Sequence, residues 1–239
     1  MKNNFEKTLL FSCPIYKIRI DPNSYDKEKI INDILYNKSL SNTRTSSDKL
    51  HGFDNCNIHH SYKADDNESE DFRPINYKKL IDVYQEIFNE FFSKELKVTT
   101  KTFKYWFNIE NYSAIPEGQY LPIHDHIGTT NTEHRSDFST IHYLNYKQGE
   151  HVPTRFHNLA DYGNLAKNVQ PVLFDALDTS DPDNSMYFDN FSFRREEDDF
   201  IIFPSILRHE ITAQLPTEHI RITISTNLTV LKENEKNNN

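Results

Sequence analysis

Glycine and cysteine are both scarce in this chain. With five glycines in 239 residues, no Gly-x-Gly-x-x-Gly run and no phosphate-cradling loop can be found, and no serine-centred elbow occurs. Nucleotide-cradle and serine-nucleophile architectures are therefore set aside. The two cysteines, Cys13 and Cys56, have no paired spacing, which excludes a disulfide framework and a thiolate zinc site. Basic residues are outnumbered, 27 Lys and Arg against 36 Asp and Glu. The resulting formal charge of −9 speaks against broad, nonspecific nucleic-acid binding and leaves open only a local basic groove. No apolar run reaches the length of a membrane span, and the opening Met1-Lys-Asn-Asn-Phe-Glu6 lacks a signal-peptide core. A soluble, cytoplasmic protein in a reducing compartment, without a membrane partner, is expected.

Aromatic residues are plentiful instead. The 17 Phe and 13 Tyr are enough for a sizeable core. Alternation near Ile15, Ile18 and Ile20 predicts one early strand, and Ser24 opens a helix carrying Ile30, Ile31, Ile34 and Leu35. Residues 39–71 are polar and read as a surface loop. After Pro74 and Asn76, the spacing of Leu80, Tyr84, Ile87 and Phe91 predicts an amphipathic helix packed on a sheet. From residue 98 the texture turns to strands over 98–109, 119–126, 137–146, 153–156, 200–204 and 220–231. The expected organisation is an N-terminal strand-and-helix part over 1–97, a β core over 98–231 with an insertion at about 157–190, and a polar tail over 232–239. Early helices followed by many strands favour a mainly β fold, an antiparallel sandwich or barrel with the helices laid on one sheet.

The stretch Leu121-Pro-Ile-His-Asp-His126 holds the chemistry. On an extended strand His124 and His126 point to the same face, and His209, at the end of Phe203-Pro-Ser-Ile-Leu-Arg-His209, can close a three-imidazole corner if the sheet curls. Neutral imidazoles suit Fe(II), and oxygen chemistry needs open positions beside them. Asp125 is a reserve ligand that only a bulge would turn inward. The competing reading is a pair of surface histidines, since 11 histidines make a chance His-x-His common. Arg221, Thr223, Ser225 and Asn227 share one face of the last strand, with Ile220, Ile222, Ile224 and Leu228 on the other. In a cavity, Arg221 needs an anion, which a carboxylate meets bidentately with the Thr223 hydroxyl beside it. His142 points away from Tyr143, and His59, His60, His151 and His157 read as surface residues.

These residues resemble the iron(II)/2-oxoglutarate-dependent oxygenases, and within them a microbial and phage branch. The elements carrying the resemblance are Cys13-Pro-Ile-Tyr16, Trp106-Phe-Asn108, His124-Asp-His126, Ser139-Thr-Ile-His-Tyr143, Phe203-Pro-Ser-Ile-Leu-Arg-His209 and Arg221-Ile-Thr223. The stretch from Arg135 to Asn145 is similar to the prolyl-hydroxylase group. The resemblance implies a double-stranded β-helix, the jelly-roll, cupin-like barrel, with Fe(II) on His124, His126 and His209. It implies that Arg221, Thr223 and Tyr143 hold 2-oxoglutarate, that O2 converts this cosubstrate to succinate and CO2, and that a substrate is hydroxylated. Trp106 and Asn108 are then candidates for the substrate side. His126 stands where the family usually carries a carboxylate. Three rival readings remain: a three-histidine cupin-type dioxygenase that uses no 2-oxoglutarate, a halogenase built on His126-Ile-Gly128, and a non-catalytic jelly-roll binding module.

Overall fold

The computed structural model describes residues 6–10, 13–40, 58–60, 72–98, 103–127, 136–159, 171–178, 181, 184–185 and 188–232. Arg135, Gly128, Cys56, the tail beyond Lys232, most of the polar stretch 39–71 and the middle of the insertion lie outside these residues. Eleven strands are described: β1 Glu6–Leu10, β2 Cys13–Arg19, β3 His59–His60, β4 Phe103–Ile115, β5 Leu121–His124, β6 Phe138–Asn145, β7 Arg155–His157, β8 Asn190–Phe191, β9 Asp199–Pro204, β10 His209–Ile211 and β11 Arg221–Lys232. The helices are α1 Lys27–Leu40, α2 Lys78–Glu90 and the short α3 Pro171–Ala176.

The strands form a seven-stranded sheet of order β1-β2-β9-β6-β11-β4-β3 and a four-stranded sheet of order β5-β10-β7-β8. From β4 onward the chain alternates between the sheets except at the β7–β8 pair, placing β4, β6, β9 and β11 in the large sheet and β5, β7, β8 and β10 in the small one. The pairings between the described strands are antiparallel, and this order is that of a double-stranded β-helix, or jelly roll. β1 and β2 extend one edge of the large sheet, and β3 extends the other.

Apolar alternation fills both faces of the large sheet. Ile15, Ile141, Tyr143, Ile201 and Phe203 face the small sheet and pack with Phe156 and Phe191. On the opposite face Tyr16, Ile18, Phe200, Ile202, Ile222, Ile224 and Leu228 pack with Ile30 and Ile34 of α1 and with Leu80, Tyr84, Ile87 and Phe88 of α2. The ring centroid of Phe88 on α2 lies 4.8 Å from that of Phe107 on β4. α2 begins where Asn76 Oδ1 accepts the Lys78 amide at 3.0 Å. It runs into a π-helical turn over Phe91–Glu95, and the chain leaves through Lys97 at φ 53°.

Several local expectations are corrected. The single early strand is two antiparallel ones, β1 and β2. Ser24 does not cap α1: it ends a 3-10 turn, Pro22–Ser24, capped by Asp21, whose Oδ1 accepts the Asn23 amide at 2.9 Å. α1 starts at Lys27 and continues to Leu40, because Asn37 ties its last turn to the backbone of Arg73 at 2.8 and 2.9 Å. The strand read at 98–109 runs instead from Phe103 to Ile115, matched along its length to β11. His59 and His151 are buried rather than on the surface. Each has a reason to be inside: His59 Nε2 meets the Tyr112 hydroxyl at 2.7 Å, and His151 Nε2 reaches the His219 carbonyl at 3.0 Å.

Candidate metal centre

His124 closes β5 and His209 opens β10, and the two are direct cross-strand partners. His126 follows β5 through a bend rather than continuing the strand, and its amide donates to the Ser205 carbonyl at 3.1 Å. The strand expected over 119–126 therefore stops at His124, and a bend, not the alternation of one strand, brings His126 beside His124. Ring centroids lie 4.3 Å apart for His124 and His209, 5.1 Å for His126 and His209, and 5.4 Å for His124 and His126. One ring nitrogen from each lies within 4.8 Å of the other two.

The second nitrogen of each ring explains how they are held. Nδ1 of His124 is 2.8 Å from the Pro122 carbonyl, Nδ1 of His209 is 3.0 Å from the Leu207 carbonyl, and Nδ1 of His126 is 2.9 Å from Asn227 Oδ1. Each of these oxygens can only accept, so Nδ1 carries the proton in all three rings. Nε2 is then the nitrogen whose lone pair can face a metal. Burial, and then the neighbouring His126, push His124 down to about 4. Burial lowers His126, and burial followed by His124 and His126 takes His209 well below the ordinary range. The trio is a set of neutral imidazoles at neutral pH, the form that binds divalent transition metals.

Among the described residues no carboxylate joins this group. Asp125 Oδ1 instead accepts the Ile127 amide at 3.2 Å, so the acid folds back on its own backbone. Asn227 Oδ1 also accepts from Ser139 Oγ at 3.1 Å, and Ser139 meets Ser205 Oγ at 2.8 Å. The serines of the two quoted motifs thus back the amide that orients His126.

Arg221 is fully buried on the interior face of β11. Its Nη2 donates to Thr154 Oγ1 at 3.1 Å, while Nε and Nη1 have no partner. Tyr143 gives its hydroxyl proton to the same Thr154 oxygen at 2.8 Å, and the Arg221 guanidinium carbon is 5.2 Å from the Tyr143 ring centroid. Tyr143 and Arg221 are therefore together. Thr223 is buried two residues along, but it makes no bond to Arg221; Thr154 holds that place. Thr154 sits two residues before Phe156, the cross-strand partner of His209, so the guanidinium and the histidines share one interior.

Trp106 and Asn108 lie on the β4 face opposite Phe107 and Ile109, which pack toward the helices. Asn108 is the cross-strand partner of Asn227, and its Oδ1 is buried without a partner. Sequence reasoning missed Thr154 and the role of Asn227. The alternation of β11, which sets Asn227 on the Arg221 face, was the signal available for the second. A second arginine, Arg195, is also buried here, and nothing in its sequence neighbourhood marks it.

No family model matches the chain, and no curated protein matches it. Solved structures do. An oxidoreductase of the 2OG-Fe(II) oxygenase family from Burkholderia pseudomallei matches at 10% identity and TM-score 0.40, covering 64% of this chain and 57% of that one. The viral collagen prolyl hydroxylase of Paramecium bursaria Chlorella virus-1, in complex with 2OG, matches at 13% identity and TM-score 0.45 over 90% of this chain and 94% of that one. A Trichoplax adhaerens prolyl hydroxylase, in complex with a hypoxia-inducible-factor peptide fragment, matches at 10% identity and TM-score 0.45, covering 85% and 77%. The chain is similar to each of these, and its own strand order is what defines the jelly roll described above.

Proposed function

We propose that this protein is an Fe(II)/2-oxoglutarate-dependent oxygenase that hydroxylates a substrate with formation of succinate and CO2. The observation that carries the reading is the joint occurrence, in one jelly-roll interior, of three oriented neutral imidazoles and a buried guanidinium with unsatisfied N–H groups. The first suits a ferrous ion, and the second calls for a carboxylate.

When bound, Fe(II) chelated by the 2-oxo acid supplies the activation of O2 and the oxidation of an unactivated C–H bond. The chain does the rest. His124, His126 and His209 would hold the metal through their Nε2 atoms. The Pro122 and Leu207 carbonyls and Asn227 keep the three rings in the ligating tautomer. Arg221, which shares the Thr154 hydroxyl oxygen with Tyr143, would receive the far carboxylate of the cosubstrate; Thr223 lies on the same face of β11. Phe156 and Phe203, whose rings lie 5.9 and 5.1 Å from that of His209, exclude water from its inner side. Trp106 and Asn108 face the substrate side, and Asp125 stays outside the ligand set. A cytoplasmic setting goes with this reading, since reducing conditions preserve both a ferrous centre and the free thiol of Cys13.

Anaerobic addition of Fe(II) and 2-oxoglutarate is expected to give the visible charge-transfer band of the chelate. His209→Ala weakens it through metal loss and Arg221→Ala through cosubstrate loss. A wild-type protein that binds Fe(II) but shows no band with 2-oxoglutarate rules the reading out. The all-histidine ligand set favours one alternative, a cupin-type dioxygenase binding its substrate directly to iron. Oxygen uptake without succinate would select that alternative.

A further inference from the structure

The interior holds more positive charge than one carboxylate-binding arginine accounts for. Arg195, between β8 and β9, is 1% exposed, and Arg221 is 0% exposed. Nε and Nη2 of Arg195 are buried without partners, as are Nε and Nη1 of Arg221. The third nitrogen of Arg195, Nη1, makes only a long bond, 3.3 Å to the carbonyl of its neighbour Arg194. Both guanidinium carbons approach the Tyr143 ring, at 5.7 Å for Arg195 and 5.2 Å for Arg221. Arg195 also lies against the face of Phe193, so aromatic faces supply part of its solvation.

No carboxylate among the described residues pairs with either guanidinium. Asp199 is the acid whose field Arg195 feels, yet its oxygens serve Arg19 at 3.2 Å and the Glu196 amide at 2.8 Å. An arginine cannot shed its proton to escape burial. Two such groups beside one tyrosine make a corner that is unfavourable when empty and complementary to an anion.

We propose that Arg195 is a second holder of the cosubstrate, so that the far carboxylate of 2-oxoglutarate is gripped between Arg195 and Arg221, with the Tyr143 and Thr154 hydroxyls at its side. This rests on the 2-oxoglutarate reading above. A carboxylate has two oxygens and about four lone-pair sites, enough for one fork on each side. A 2-oxo acid that ends in a methyl group would leave both cations buried and unpaired. Discrimination between dicarboxylic and monocarboxylic 2-oxo acids is thereby built into the pocket.

The test uses the full-length protein loaded with Mn(II), which holds the site without turnover. Calorimetric titration with 2-oxoglutarate and with 2-oxobutyrate is compared for wild type, Arg195→Met and Arg195→Lys, together with the melting temperature of each ligand-free protein. Arg195→Met is expected to bind 2-oxoglutarate at least tenfold more weakly and 2-oxobutyrate no more weakly than wild type. Its ligand-free melting temperature should be unchanged or raised, because an uncompensated buried charge has been removed. Arg195→Lys keeps the charge without the planar fork and should fall between the two.

Unchanged 2-oxoglutarate affinity in both variants overturns the proposal and leaves the oxygenase reading standing. A sharp loss of ligand-free stability in both variants overturns it as well, since it would reveal a counter-ion within the chain. Failure of the wild type itself to bind 2-oxoglutarate sinks the oxygenase reading, and this inference with it.

Discussion

Asn227 stands where two hydrogen-bond chains meet, with His126 on one side and Ser139 on the other. Its amide oxygen fixes which nitrogen of His126 is protonated, so its removal leaves a ligand free to rotate and to change tautomer. Asn227→Leu, close in volume and without an acceptor, is expected to weaken Mn(II) or Fe(II) binding by about 10- to 100-fold while the fold persists. Metal titration followed by circular dichroism checks both halves of that statement. At this scale legibility divides by chemistry. His124, His126 and His209 could be read as one group from the His-x-His spacing and a third histidine beyond a later strand, against the competing reading of a surface pair, and Arg221 stood out as the charged member of an otherwise neutral polar face. Thr154 and Arg195 could not. A threonine before a short strand and an arginine beside another arginine are commonplace, and only the folded chain brings them to Tyr143.

At the scale of elements, the helical layer is bound to the large sheet by apolar rings and by one buried polar cluster. Phe88 of α2 is fully buried, touching Tyr84, Tyr105, Phe107 and Phe200. Phe88→Ala should cost about 3–5 kcal/mol in urea denaturation, the usual range for removing a core phenylalanine. The polar cluster centres on Asp198, at the turn into β9. Its Oδ1 accepts the Tyr25 hydroxyl at 3.0 Å, its Oδ2 lies 2.7 Å from Lys27 Nζ, and His142 Nε2 is 3.8 Å away. Burial raises the Asp198 carboxyl, but the nearby His142 ring and the Lys27 ammonium bonded to it outweigh burial and hold the group below the ordinary range. An unfolded aspartate titrates near about 3.9. The carboxyl's stabilising share is therefore present above that pH and lost as pH falls below it. Asp198→Asn, which also tolerates the φ of 63° found there, should lower stability at pH 7 and flatten its decline below pH 4. The α2 stripe was legible from its period, whereas this cluster was not. Its members come from separate parts of the chain, and Ser24 does not open α1 because it ends a 3-10 turn of its own, capped by Asp21.

Across the whole molecule, the two sheets are unequal in how well they are held. The large sheet is covered by helices on one face and by the aromatic interior on the other. The small sheet is built from short strands, and β5, at its edge, meets β10 at His124↔His209 and Leu121↔Ile211 with an irregularity between them. The proposed metal ligands sit at that weak join: one on β5, one on the bend after it, one on β10. A metal bound there would staple the rim of the small sheet to its neighbour as well as hold a cosubstrate. Binding to the folded state alone at a free metal concentration 100 times Kd adds about 2.7 kcal/mol. At about 2–4 °C per kcal/mol for a chain of this size, that is a rise in Tm of about 5–10 °C. Differential scanning calorimetry with Mn(II) against a chelator measures it directly. Because the His209→Ala substitution shifts the metal-free Tm by itself, the quantity to compare is the metal-induced increment, which should vanish in the variant. An increment that survives in His209→Ala would place the metal away from the three histidines, and the ligand set proposed here would have to be abandoned.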